Sequence, residues 1–338
     1  MDNLLLDSFV RLLGQISSPA AVRRVETEGN AAEILHEVEE SGFLDALVPE
    51  SMGGSGLALA DVIPLFVAAG EYLLPIPFAE TMVARAMIAA SGAQPPRGRT
   101  IVLWPSTPGA QIRSALDPLG DPTSLALVQR GTEFQLLPVK PAERDADPFG
   151  QWSVRAVRGA PPLLEFTLAG VDLLLWAAAI TAASMAGALK RLLEMSLTHV
   201  NDRQQFGRTL GKFQVIQQHL SVFAERSVFA QVAARIGLSG TGLILDRGRV
   251  AIAKSVANES ARACASVAHA VHGAIGISEA HDLQLYTRRL ARWQVSFGSD
   301  GYWQRCIGQL RLQSEELTGV DFVRNLLTAE AAPPTEED

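Results

Sequence analysis

Apolar residues at the start of the chain recur at the spacing of a helix. Leu5, Phe9 and Leu13 share one face, and Ile34 and Val38 share a face in the next segment. The segment PESMGGSG, residues 49–56, interrupts this pattern because it is rich in glycine and follows a proline. A second pair of helices is predicted to begin near residue 59. Residues 1–94 are therefore predicted to form an N-terminal helical domain.

The helical period is lost between residues 95 and 171, where prolines and glycines are dense. Short runs of β-prone residues occur there with turn residues between them, at 100–104, 125–129, 134–139, 152–157 and 163–168. They predict a small, reduced β domain over residues 95–171.

Helical spacing returns from residue 172 onward. Met185, Leu189, Leu192, Ser196 and Val200 follow one another at intervals of four, three, four and four. The pattern continues in two further helices, at Ile216, Leu220 and Phe223, and at Ile252, Val256, Ala263 and Val267. A C-terminal four-helix bundle is predicted over residues 172–328, so the chain is mainly α with a small β middle domain. Residues 329–338, acidic and proline-rich, are predicted to be a disordered tail.

Composition indicates a well-buried protein without a nucleic-acid partner. Apolar residues make up 48% of the chain and charged residues 19%, and the net charge of −7 gives no overall attraction to a polyanion. Cys264 and Cys306 are the two cysteines, too few for a disulfide framework or a cysteine metal site. Both are predicted to be buried thiols.

One apolar stretch, residues 171–189, is long enough to span a membrane. Its alanines, together with Thr181, Ser184 and Gly187, favour a helix that is packed on all sides inside a bundle. The amino terminus has no basic region with a cleavage site and is predicted to be a helix. We expect a cytoplasmic protein without a membrane partner.

The segment NDRQQFGRTLGKFQVIQQHLSVF, residues 201–223, joins two helical patterns through a basic, glycine-containing turn. The guanidinium of Arg203, the amide of Gln205 and free N–H groups at a helix start can together bind a phosphate or pyrophosphate. Phe206 adds an aromatic ring. Composition alone also allows a plain helix connection whose basic residues are solvated.

The run RQQFG followed by FQxIQxxL resembles the signature of the acyl-CoA dehydrogenase family. The resemblance implies that Arg203, Gln205 and Phe206 contact the FAD of a neighbouring subunit, with Gln214 and Gln217 near its adenine end. The strings LVPESMGGSGLALADV and PIPFAET resemble the N-terminal helical domain of the same family.

A second block, VHGAIGISEAHDLQLYTRR (residues 271–289), resembles the stretch that closes the FAD site from the adjacent subunit. Gly273 and Gly276 would let the backbone turn and approach a ligand closely. The family's glutamine falls on Ala270, the second glycine of its pair is Ala274, and its aromatic residue is Ile277. In the simpler alternative, Gly273 only ends a helix.

Family members remove the α proton of an acyl-CoA thioester with a glutamate, which stands at one of two places. Counting from the matched arginines puts these positions on Phe297 and Ala177, neither of which accepts a proton. Asp300 is the nearest candidate base and is alternatively the N-cap of a helix that begins at residue 301 or 302. The β domain also lacks the family's aromatic-x-Thr-Glu and Gly-Ser-Asp motifs.

His269 and His272, three apart on one helix face, are the closest approach to a metal motif, and zinc would need further ligands. No metal site is predicted. The histidines are expected to be structural or to lie at the edge of the cofactor.

The chain resembles the shorter, base-less subunit of heteromeric (α2β2) acyl-CoA dehydrogenases that act on steroid side chains. That resemblance implies FAD as cofactor, a longer homologue that carries the glutamate and most of the acyl-CoA site, and an electron-transfer flavoprotein as a candidate acceptor. Two alternatives stay open: a self-sufficient homotetrameric dehydrogenase that uses Asp300, and a flavin-free structural protein.

Overall fold

In the described part of the chain, helices precede and follow a small sheet in sequence. The computed structural model describes residues 2–105, 124–141, 154–157, 160–316 and 318–328. The predicted order of helices, strands and helices is confirmed, and so is the mainly α fold class. The domain boundaries at residues 94 and 171 stay predictions, and the predicted tail, residues 329–338, lies outside the described residues.

The N-terminal helices pack around aromatic side chains. They are α1 (Asp2–Ile16), α2 (Pro19–Glu28), α3 (Ala32–Glu40), α4 (Leu59–Glu71) and α5 (Phe78–Ala90). Phe9 on the predicted face of α1 is fully buried. Its ring stacks on Phe78 with centroids 4.7 Å apart and meets the ring of Phe43 edge-on at 4.8 Å.

The described residues between positions 95 and 171 form five strands close to the predicted runs. They are β1 (Ile101–Pro105), β2 (Leu125–Arg130), β3 (Glu133–Pro141), β4 (Val154–Ala156) and β5 (Leu164–Thr167). β1 pairs parallel with β2, β2 pairs antiparallel with β3, and β3 pairs antiparallel with both β4 and β5. Residues 152–153 of the fourth predicted run lie outside the described residues.

The C-terminal helices are joined by short connections, two of which are small hairpins. The helices are α6 (Leu173–Asp202), α7 (Gln214–Gly237), α8 (Arg247–His272), α9 (Leu283–Val295), α10 (Asp300–Gln313) and α11 (Gly319–Thr328). The hairpins consist of β6 (Gln204–Gln205) with β7 (Arg208–Thr209), and of β8 (Gly240–Thr241) with β9 (Ile244–Leu245). Helix α6 contacts α4, α7, α8 and α9.

Helix α6 contains the apolar stretch whose length would allow a membrane span and whose composition favours a buried helix. Within the described part of the chain it is the one helix long and apolar enough to cross a membrane, and 83% of its most apolar 18-residue window is buried by protein. Its alanines therefore pack against neighbouring helices, as predicted.

The third predicted helix is confirmed as α8, but the residues that predicted it are not its most buried positions. Ile252, Val256, Ala263 and Val267 are only partly buried. The fully buried positions are mostly small, at Ala253, Ala257, Ala261, Cys264 and Ala268. Helices α6, α7 and α10 all contact α8, and small side chains let helices approach from several sides, so residue size marks this interior better than hydrophobicity does. Both cysteines are buried as predicted, and burial raises the pKa of the Cys264 thiol to about 12.

Candidate functional site

A β-hairpin follows α6 at the predicted basic turn. Gln205 of β6 pairs with Arg208 of β7. Phe206 and Gly207 form the two-residue turn with φ of 55° and 79°. Positive φ at both positions is typical of the type I′ turn that matches the twist of a tight hairpin. The sequence predicted a cationic turn but not this hairpin, for which the glycine after Phe206 was the available signal.

The hairpin presents its functional side chains to solvent. Arg203 and Gln205 are exposed, and the Arg203 guanidinium makes no ion pair within the described residues. The ring of Phe206 is 87% exposed, although a left-handed backbone at such a residue costs about 1–3 kcal/mol. The Arg208 guanidinium lies 4.0 Å from the ring centroid of Phe213. Arg203 is therefore the hairpin cation that remains open to a ligand.

The start of α7 lies directly after this hairpin. Gln214 and Gln217 are both exposed there. The amide nitrogen of Gln217 donates a hydrogen bond to the carbonyl oxygen of Gly211 at 2.9 Å. No side chain caps the N-terminus of α7, as expected for a helix start with free N–H groups.

The two predicted glycines have different physical roles. Gly273 follows α8 with φ 62° and ψ −144°, and a Cβ added to it would meet no atom within 4 Å. A Cβ on Gly276 would lie 2.8 Å from Cδ2 of Leu283 and 3.0 Å from Cβ of His272. The sequence-based reason, an unusual turn open to a ligand, therefore applies to Gly273. Gly276 is small because it is packed.

The hairpin base and the end of α8 line one open cleft of about 470 Å³. Its polar walls include Arg191, His199, Asp202, Arg203, His272 and His281. The fold thus brings together the two family-like blocks, which lie about 70 residues apart in sequence. Among the predicted cofactor residues, Arg203 lines the cleft itself, and Gly273 is the neighbour of a lining residue.

Three imidazole rings lie in contact in this cleft, His199 stacked on His272 and His281 edge-on to it. The three rings are called the imidazole stack here. The ring centroids of His199 and His272 are 4.4 Å apart, and those of His272 and His281 are 5.2 Å apart. Nδ1 of His272 donates to the carbonyl oxygen of Ala268 at 2.8 Å, which leaves Nε2 as an acceptor without a partner among the described residues. Burial lowers the pKa of His272 to about 4. The cleft is therefore lined by a neutral buried ring at pH 7.

His199 has a lowered pKa as well. Burial is the main cause, followed by the charges of His281 and Arg203. Sequence reasoning missed both His199 and His281. The available signal for His199 was its place four residues before Arg203, one helical turn away on the same face.

The first family base position lies in a strained turn between α9 and α10. Phe297 and Gly298 have φ of 54° and 105°. Nε1 of Trp303 donates to the Phe297 carbonyl oxygen at 3.0 Å, and the Phe297 side chain packs against the main hydrophobic core. The side chain at the family's first base position therefore cannot accept a proton.

A buried lysine donates hydrogen bonds to the same turn. Nζ of Lys254 donates to Oδ1 of Asn258 at 2.6 Å, to the Trp293 carbonyl oxygen at 2.8 Å and to the Gly298 carbonyl oxygen at 3.4 Å. Burial lowers the pKa of Lys254 to about 7, while three oxygen acceptors favour its ammonium form. Sequence reasoning missed this residue.

The second base position offers no acceptor either. Ala177 is buried in α6, and Asp172, the nearest acid, caps α6 by accepting from the Leu174 backbone N–H at 2.8 Å. Asp300 is the first residue of α10 and Ser299 occupies the cap, so the predicted N-cap role of Asp300 is wrong.

The Asp300 carboxylate forms an ion pair with Arg262. The Asp300 side chain is only 21% exposed, and its pairing with Arg262 competes with any role as a base.

The described residues hold no group of three or more histidine, cysteine, aspartate or glutamate side chains arranged to bind a metal ion. The ring of His269 hydrogen-bonds Thr287 through Nε2 at 3.1 Å. The stacked rings of His199 and His272 face each other and do not converge on one point.

Comparison with known proteins places this geometry in a family. Residues 170–310 match the model of the acyl-CoA dehydrogenase C-terminal domain. Acyl-CoA dehydrogenase IpdE2 of Mycolicibacterium smegmatis is 27% identical over 303 residues, which cover 85% of this chain and 91% of that protein. Residues 170–310 therefore belong to the acyl-CoA dehydrogenase C-terminal domain family.

A longer relative within the family is acyl-CoA dehydrogenase FadE34 of Mycobacterium tuberculosis. It is 27% identical over 322 residues, which cover 87% of this chain but only 45% of FadE34. More than half of that acyl-CoA dehydrogenase thus lies outside the matched segment.

Solved acyl-CoA dehydrogenase structures share the fold. A chain of the Tcur3481–Tcur3483 steroid ACAD superposes with a TM-score of 0.76 at 20% identity, covering 91% of this chain and 97% of that chain. A chain of the ChsE4–ChsE5 complex from Mycobacterium tuberculosis gives 0.71 at 19% identity, covering 93% and 98%.

Proposed function

We propose that this chain is the base-less subunit of a heteromeric, FAD-dependent acyl-CoA dehydrogenase of the cytoplasm. A longer homologue would supply the glutamate and most of the acyl-CoA site, and this chain would complete the FAD site of that partner. The observation that carries the proposal is that both family base positions, Phe297 and Ala177, are apolar while the cofactor hairpin stands open to solvent.

The hairpin fits the anionic part of a dinucleotide. Arg203 offers a guanidinium without an ion pair among the described residues, and Gln205 an exposed amide, both suited to a pyrophosphate. Phe206 presents an exposed ring on a strained turn. Contact of this ring with a partner's cofactor would offset the free-energy cost of the backbone strain. When bound, FAD would supply the hydride acceptor for the β carbon of the thioester.

The neighbouring residues fit the remainder of the cofactor. Gln214 and Gln217 lie at the uncapped start of α7, on the adenine side in this proposal. Gly273 leaves its backbone open at the end of α8, and Gly276 keeps the following segment packed behind it. Nε2 of His272 is a buried acceptor that suits a ligand hydroxyl or N–H group.

Two comparisons support a partner chain. Both solved relatives described above are named as pairs of chains, and one of them is named a steroid ACAD. FadE34 joins a segment like this chain to a stretch of at least equal length. We therefore propose an α2β2 assembly acting on a bulky acyl-CoA such as a steroid side-chain thioester, with an electron-transfer flavoprotein as acceptor.

Co-expression with a longer homologue that is encoded beside this chain tests the proposal. The chain purified alone is expected to be colourless and inactive, and the co-purified pair is expected to be yellow and to oxidise an acyl-CoA. A yellow, active homomer would instead support the self-sufficient enzyme with Asp300 as base, which Asp300→Asn would then inactivate. A pair that assembles without flavin or activity would favour the structural role.

A further inference from the structure

A short loop closes one side of the cleft described above. It runs from Ser278 to Asp282, between the short helical turn Gly273–Ile277 and α9, and is called the 278–282 loop here. The ring of His281 in this loop meets the His272 ring edge-on and lines the cleft with Arg203. The position of the loop therefore fixes one of the side chains that line the cleft, His281.

The loop has little packing of its own to hold it in place. Ser278, Glu279 and Ala280 are exposed. Its internal bonds are local, such as the one from the His281 N–H to the Ser278 carbonyl oxygen at 3.1 Å. Segments with few buried contacts open at low free-energy cost unless something else fixes them.

One guanidinium from the N-terminal helices supplies that fixation. Nη2 of Arg23, on α2, lies 2.6 Å from Oδ1 of Asp282. The same nitrogen approaches the carbonyl oxygens of Ala280 at 3.3 Å and Glu279 at 3.5 Å. Arg23 thus contacts both the charge and the backbone of the loop from 257 residues away in sequence.

The next turn of α2 carries an anion that forms ion pairs with cations of α9. Glu26 receives Nη2 of Arg288 at 2.8 Å and Nη2 of Arg289 at 3.1 Å. Val22 and Val25 anchor α2 in the core at 1% and 0% exposure. Helix α2 therefore presents a cation to the loop and an anion to the helix that follows the loop.

We propose that Arg23 is a positioning residue of the cofactor cleft, acting through the 278–282 loop, with Glu26 fixing the adjoining helix. Arg23 lines no part of the cleft as described above, so its effect on a ligand is transmitted by His281 and the loop backbone. The role in cofactor binding rests on the proposed function. The bracing of the loop does not.

The chain offers a matched control for the central variant. Arg24, next in sequence, pairs with the exposed carboxylate of Glu33 at 3.2 Å and lies away from the loop. Arg23→Gln removes the charge at a partly exposed site, so the fold should survive. Arg23→Lys keeps a positive charge for Asp282 but replaces the planar guanidinium with a compact ammonium group on a different stem.

The first experiment uses the full chain without ligand and needs no activity. Hydrogen exchange of the peptide that contains the 278–282 loop should speed up by about tenfold or more in Arg23→Gln, less in Arg23→Lys, and not in Arg24→Gln. The imidazole titration of His199, followed by NMR, should move toward its ordinary pKa, because His281 contributes to the present lowering. Unchanged exchange and titration in Arg23→Gln would overturn the bracing role.

The second experiment uses the co-purified complex, stripped of flavin and titrated with FAD. Arg23→Gln should weaken FAD binding by about fivefold or more, with partial rescue in Arg23→Lys and wild-type affinity in Arg24→Gln. A loosened loop with unchanged affinity would overturn the link between loop and cofactor. A wild-type complex that binds no FAD would overturn the proposed function, and the exchange result would still decide the bracing.

Discussion

A Cβ atom on Gly187 of α6 would lie 1.9 Å from the carbonyl oxygen of Val67 in α4. The contact is reciprocal, because a Cβ on Gly70 of α4 would lie 2.1 Å from the Ser184 carbonyl oxygen. The two helices therefore touch backbone to backbone. This seam joins the N-terminal helices to the bundle that carries the cleft.

Gly187→Ala is expected to destabilise the protein by roughly 1–3 kcal/mol or more, because an added methyl group must push α4 and α6 apart. Denaturant unfolding monitored by circular dichroism measures this. Gly308→Ala in α10 is the control, since its Cβ would meet nothing within 4 Å. That control should gain about 0.5–1 kcal/mol from helix propensity. Equal stability of Gly187→Ala and the wild type would contradict the close seam.

Lys254 should make stability rise with pH. Burial lowers its pKa from 10.5 to about 7, so between these values the unfolded chain binds a proton that the folded chain has released. The free energy of unfolding therefore increases as pH rises through this window. Below about pH 7 the lysine is charged in both states, and the full cost of its burial is present.

Lys254→Met is expected to abolish that rise. It should also lower stability by about 1–3 kcal/mol, because the carbonyl oxygens of Trp293 and Gly298 lose a donor. Lys190→Met is the matched control: Lys190 is 44% exposed and pairs with Glu71 at the surface. Denaturant unfolding at several pH values measures both effects. A wild-type profile that is flat above about pH 7 would contradict the lowered pKa.

The sequence predicted most of the elements because burial on one face leaves a periodic trace. The series from Met185 to Val200 lies in α6, where the interior side is apolar and repeats at helical spacing. The same logic failed for α8. That helix is covered from several sides, so its buried positions are marked by alanine and even include Lys254.

The candidate site was predictable only as far as its motifs are local. Arg203, Gly273 and His281 lie in family-like runs, whereas His199 precedes the first run and Arg23 meets the 278–282 loop only through tertiary contacts. No local pattern predicts that Arg23 meets a loop 257 residues later. Such contacts depend on how α2 packs against α9, which spacing within either helix does not encode.

The imidazole stack should make the protein less stable in acid. Burial lowers the pKa of His272 from 6.5 to about 4, and His199 is shifted in the same direction. As pH falls through this window, the unfolded chain takes up protons that the folded chain does not, so the free energy of unfolding decreases. His269, His281, Asp202 and Arg203 surround these rings, and their charges act on the pKa values of His272 and His199.

His272→Asn should reduce this loss, since asparagine does not titrate and its amide can still donate to the Ala268 carbonyl oxygen. The measurement is the difference in unfolding free energy between neutral pH and about pH 5, compared between the variant and the wild type. His36→Asn is the control, because His36 lies on α3 outside the stack. An identical acid loss in His272→Asn and the wild type would refute the assignment.

Arg203→Ala should lower FAD occupancy of the co-purified complex without affecting its assembly. A charge-assisted hydrogen bond to a phosphate contributes about 1.5–3 kcal/mol, which corresponds to an affinity loss of about 10- to 150-fold. The bound flavin released on denaturation, divided by protein, gives the occupancy. Arg324→Ala is the control, because Arg324 is 64% exposed on α11 and pairs with Asp321 one turn away. Full FAD occupancy in Arg203→Ala would show that the exposed hairpin does not bind the cofactor. Equal losses of FAD in both variants would indicate a general effect of removing surface charge.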